Sequence, residues 1–201
     1  MYNYSLTSLA VYLTNWGMLC TILHLTLTIK CASDLKVKNK ISLLGWNHII
    51  FELTLILELV ITVVYWTIIH HVIIVEEVLE LVIFQLYLVH AFPFFSMVVN
   101  FLITDVVLIR SHQVKFLYIA LIYLLVNFAA TKIRGKPVYH FLTWEDLNSL
   151  YIFLGISLGA LFVFNFLVTF SELLKGRKAN EKSSIDKDII DDKTLKEMNR
   201  K

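Results

Sequence analysis

The chain has 201 residues, 58% of them hydrophobic, with a net charge of +2 and a mean hydropathy of +0.71. A soluble domain carries about 45–50% apolar residues, so a soluble catalytic module is excluded, and a charge of +2 offers no basic surface for nucleic acid. Two cysteines, Cys20 and Cys31, supply neither a disulfide framework nor a paired metal motif.

The apolar residues fall in long runs, which suit helices in lipid and are too uniform for barrel strands. The expected fold is all-α: a polytopic transmembrane bundle of about five spans, each near or above the ~20 residues that a crossing needs. In chain order these are 9–29, 48–69, 81–109, 115–131 and 148–171. The third is long enough to tilt, or to break at Pro93, whose missing N–H weakens the ladder one turn back. Residues 1–171 read as one transmembrane domain, and 172–201 as a charged, solvent-exposed tail. In that tail Ile185, Ile189 and Leu195 suit a short docking helix.

No Lys or Arg occurs in the first 29 residues, so a basic leader of the secretory type is not expected. Lys30, Lys36, Lys38, Lys40, Arg110, Lys115, Lys175, Arg177, Lys178 and Lys182 fall on one side of the expected bundle. Only Lys132, Arg134 and Lys136 fall on the other, beside Glu76, Glu77 and Glu80. Cationic loops stay inside. The expectation is an N-terminus facing out and a tail facing in.

Ionisable residues within a span cost about 2.5–3.5 kcal/mol at its centre and each needs a reason. Glu58 falls near the middle of the second span, and His90, Asn100 and Asp105 fall in the third. Thr7, Thr14, Thr21 and Thr28 recur every seven residues in the first, with His24 on the same face. Hydroxyl stripes of this kind are ordinary helix-packing groups. A buried Glu58 fits a satisfied core carboxyl, and a lone His a hydrogen bond between helices. Depth suggests a sharper reading. Thr14 lies about 8 Å and His90 about 13 Å in from the same side at 1.5 Å per residue. At comparable depth, a hydroxyl and an imidazole are the parts of a nucleophile–base pair.

Several stretches also form a familiar ordered set: YLTNWG at 12–17, ELVITVVYW at 58–66, HAFPFF at 90–95, RSH at 110–112 and YLLVNFAATKIRGKPVYHFLTW at 123–144. Their order and spacing over about residues 8–170 resemble the androgen-induced and rolling-stone superfamily of small multispan proteins. In its animal androgen-induced branch, the resemblance implies hydrolysis of fatty acid esters of hydroxy fatty acids by a membrane-embedded Thr and His. The matching positions here are Thr14, after Tyr12 and Leu13, and His90, shortly before Pro93. Asn15-Trp16 is closer to the rolling-stone branch, and Asn100 stands where many members have a carboxylate.

On the hydrolase reading, Thr14 attacks an ester carbonyl and His90 takes its proton. Asn15, Tyr139 and Trp144 are the candidate oxyanion donors or pocket residues. Membrane lipids are the expected ligands, in an endomembrane by resemblance. The competing reading is a non-catalytic accessory subunit of a large assembly, such as a divergent mitochondrial respiratory complex in the inner membrane, bound to other membrane subunits through its tail. No cofactor is expected on either reading. No metal is expected, since no pair among the seven His has a cofactor-specific spacing.

Overall fold

A computed structural model describes residues 10–33, 40–75 and 80–198. Thr7, Lys36, Lys38, Glu76 and Glu77 lie outside the described residues. Helix α1 is Leu13–Ser33. Helix α2, Lys40–Val64, continues through a π-helical turn, Tyr65–Ile69, into α3, His70–Val75. Helix α4 is Glu80–Ile103, a 3-10 turn covers Arg110–His112, α5 is Gln113–Arg134 and α6 is Asn148–Met198. No strand occurs among the described residues, and five helices are long and apolar enough to cross a membrane. The protein is an all-helical, multi-pass membrane bundle.

Helix ends follow local chemistry. Gly135, at φ 63°, closes α5 in the left-handed conformation that a residue without Cβ takes most cheaply. The Asp146 carboxylate accepts the Asn148 N–H and opens α6. At the expected tail boundary α6 does not end; it runs on to Met198 as one 51-residue helix. At 1.5 Å per residue that is roughly 76 Å, well beyond a hydrocarbon core of about 30 Å.

Helix α2 is the axis of the bundle. Phe51, Leu55 and Ile56 pack with Met97 and Phe101 of α4 and with Phe164 and Val168 of α6 in the main core. Helix α1 packs against it most closely at Gly17. A Cβ there would sit 2.5 Å from Ile61 Cδ1 and 2.7 Å from Glu58 Oε1, so only glycine permits the approach.

The third span differs from expectation. Helix α4 runs unbroken across Pro93, which is buried, and ends instead at Ile103. A non-helical stretch from 104 to 109 follows. Its backbone groups are met by side chains from elsewhere. Lys175 Nζ donates to the Thr104 and Phe101 carbonyls at the end of α4. Leu108 N–H donates to Ser171 Oγ at 3.1 Å, and Ile109 N–H to Glu52 Oε1 at 2.5 Å. Backbone that leaves a helix needs such partners wherever it is shielded from water.

A threonine–histidine pair at an apolar cavity

Thr14 lies in the first turn of α1, and His90 lies ten residues into α4. Their side chains meet, with Thr14 Oγ1 3.2 Å from His90 Nε2. The other ring nitrogen, Nδ1, donates to the Leu86 carbonyl at 2.7 Å. A carbonyl only accepts, so the proton of the neutral ring sits on Nδ1. Nε2 is then a lone pair, and the Thr14 hydroxyl donates to it. This is the polarity that a general base needs toward a nucleophile.

The ring is held on its other sides too. Tyr65 stacks on it with centroids 3.9 Å apart and planes 10° apart. Thr62 Oγ1 donates to the His90 carbonyl at 2.6 Å. Tyr65 opens the π turn, and Ile69, which ends it, lines the cavity beside His90.

Thr14 and His90 line a cavity of about 740 Å³, its open mouth included, whose other walls are largely aliphatic and aromatic. Val60, Val64, Ile119 and Phe153 are among them.

Tyr139, from the connection between α5 and α6, also lines the cavity. Its hydroxyl oxygen accepts the Leu13 N–H at 3.0 Å, one residue from Thr14. Burial pushes the Tyr139 phenol up, so the group keeps its proton and remains a donor. Trp144 takes a different part. Its indole N–H donates to Asn127 Oδ1 at 2.7 Å, its backbone N–H to Ser149 Oγ at 2.9 Å, and its carbonyl accepts Lys132 Nζ at 2.8 Å. These bonds hold Trp144 at φ 57°, unusual for an aromatic residue, and spend its donors away from the cavity. Asn15 is not a wall of the cavity either; its backbone N–H donates to the Tyr12 carbonyl at 3.1 Å. Of the three candidate donors, the structure leaves Tyr139 beside Thr14.

The remaining intramembrane polar residues lie farther along. Thr21 Oγ1 donates to the buried Glu58 at 2.9 Å. His24 Nδ1 donates to Asn47 Oδ1 at 2.9 Å, and Asn100 Nδ2 donates to His24 Nε2 at 2.8 Å. Asn47 Nδ2 donates to Thr28 Oγ1 at 3.0 Å. From Thr14 to Thr28 the stripe therefore faces partners on α2 and α4. Asp105 is corrected: it stands exposed on the non-helical stretch, outside any helix, because α4 ends at Ile103. A residue that depth arguments passed over is Glu52, fully buried and bonded to His48, Ile109 and His112. Its one sequence signal is a carboxylate in an apolar run with His four residues before it.

Comparison with family models, with curated proteins and with solved structures gives no match. The likeness carried by YLTNWG, HAFPFF and their companions therefore rests on those residues alone.

Proposed function

We propose that this chain is a membrane-embedded hydrolase of lipid esters, with Thr14 as nucleophile and His90 as general base. The observation that supports it best is the contact between Thr14 Oγ1 and His90 Nε2, with Nδ1 committed to Leu86, at the wall of an open apolar cavity. His90 takes the Thr14 proton as Oγ1 attacks the carbonyl, and the Tyr139 hydroxyl donates to the oxygen as it gains charge. The His90 imidazolium returns the proton to the departing alcohol. Water then cleaves the acyl-threonine with His90 again as base. The apolar walls suit a long acyl chain entering sideways from the bilayer, and fatty acid esters of hydroxy fatty acids are the class that the resemblance suggests. On the same reading the N-terminus faces out and the tail faces in.

A fluorophosphonate probe tests the nucleophile on the purified full-length chain. Labelling is expected in the wild type and absent in Thr14→Ala and His90→Ala. Labelling that persists in Thr14→Ala removes Thr14 from this role. A wild type that neither labels nor cleaves lipid esters favours the accessory-subunit reading, which co-purification of a stable membrane partner would then support.

A further inference from the structure

At the end of α2 remote from the cavity, three side chains that the hydrolase reading does not use converge. Glu52 is fully buried. His48 Nε2 donates to its Oε1 at 3.0 Å, and His112 Nδ1 donates to its Oε2. One ligand atom from each residue can be chosen so that all lie within 4.8 Å of one another. We propose that His48, Glu52 and His112 form a divalent transition-metal site, with zinc the ion that best suits two imidazoles and a carboxylate.

The geometry supports an ion in five ways. His48 and Glu52 are four residues apart, so one helix face presents both as a chelating pair. His112 comes from the 3-10 turn, so an ion would cross-link two elements separated by some sixty residues. Around a tetrahedral ion with bonds of about 2.1 Å, neighbouring donors sit about 3.4 Å apart, so this set closes on an ion with side-chain shifts on the order of 1 Å. The Ile109 N–H fixes Glu52 Oε1 from behind, as groups behind metal ligands do. The His48 and His112 side chains keep 26% and 14% exposure, which leaves an entry path and room for water as a fourth ligand.

The ion would act as a clasp. It would pin the non-helical stretch from 104 to 109 and the turn after it to α2, where no helical ladder holds the backbone. The competing account is a buried carboxylate satisfied by three N–H donors with no ion. The two accounts make different predictions for binding, and neither depends on Thr14 or His90.

The test uses full-length protein in detergent, stripped with a chelator and titrated with Co²⁺. The readouts are the cobalt d–d absorption, its displacement by Zn²⁺, metal content by mass spectrometry and the unfolding temperature. One equivalent should bind, zinc should displace it, and zinc should raise the unfolding temperature. His48→Ala and His112→Ala should each weaken binding by more than the about 10–100-fold that loss of a group behind a ligand costs, while Thr14→Ala binds as the wild type. His48 is partly exposed, so its variant remains informative if His112→Ala fails to fold. Binding well below one equivalent in the wild type overturns the proposal, as does one equivalent that His48→Ala leaves unchanged.

Discussion

Near the π turn of α2, Thr14 and His90 share one hydrogen bond beside an open apolar cavity; at the His48 end, Glu52 takes three N–H donors around one carboxylate. Both sites cost desolvation, and they recover it differently. At the first, His90 has one nitrogen anchored to Leu86 and the other aimed at a hydroxyl that also faces free space. At the second, the donors converge on Glu52 and tie backbone together. An apolar environment rewards saturated groups with rigidity and leaves unsaturated ones reactive.

The variants that probe this contrast span a wide range. Thr14→Ala should reduce ester hydrolysis by on the order of 10⁴-fold or more, measured with lipid-ester substrates. Its unfolding temperature should hardly move, because one hydrogen bond contributes only about 0.5–1.5 kcal/mol. A large loss of stability would make Thr14 a packing residue and erase the contrast. Tyr139→Phe removes the proposed oxyanion donor and should lower kcat about 10²–10³-fold with a smaller change in KM; an unchanged kcat would point to another donor.

Glu52→Ala should do the reverse. It leaves His48, His112 and the Ile109 N–H without their acceptor, a loss of about 3–5 kcal/mol for a broken buried pair. Chemical denaturation in mixed micelles reads this loss, and a shift below about 1 kcal/mol would show that the cluster does not hold the fold. Gly17→Ala sits between the two sites. The new methyl would press on Ile61 and Glu58 and cost about 1–3 kcal/mol. Since Thr14 is one turn away on the same helix, hydrolysis should fall along with stability.

The smallest effect should come from Tyr65→Phe. The Tyr65 hydroxyl is buried and has no hydrogen-bond partner among the described residues, so removing it should be neutral or slightly stabilising by thermal unfolding. The phenyl ring still stacks on His90, so activity should be kept. A marked loss of activity would mean that the hydroxyl serves the site through a group not visible in its hydrogen bonds.

Much of the bundle was legible in the sequence because lipid imposes length and composition directly. Five apolar runs became five membrane-length helices. The seven-residue threonine spacing predicted a common face for Thr14, Thr21 and Thr28, and helical depth placed Thr14 near His90. What was not legible depended on contacts distant in sequence. The third span was read through to residue 109 because Val106, Val107, Leu108 and Ile109 are apolar. That the chain leaves the helix there depends on Glu52, Ser171 and Lys175, which reach it from other helices. Pro93 suggested a break that the surrounding packing overrides. Trp144 carries a donor, as an oxyanion residue must, but only the fold reveals that Asn127 already holds it.

The π turn at Tyr65–Ile69 has a consequence for chain length. It closes with the His70 N–H on the Tyr65 carbonyl, five residues back instead of four, so α2 carries one surplus residue there. Each residue of an α-helix advances the phase by about 100°. A chain one residue shorter between 65 and 69 would keep every side chain through Val64 in place. Its π turn would close as a regular α turn, so His70 would still face Tyr87 and Trp66, whereas the same deletion in a regular turn of α2 would swing everything after it by about a quarter turn. The far end of this helix is thus set by a count of residues as well as by their identities: a single-residue deletion inside the π turn should be tolerated, and one in the regular turns before it should uncouple that end from the rest.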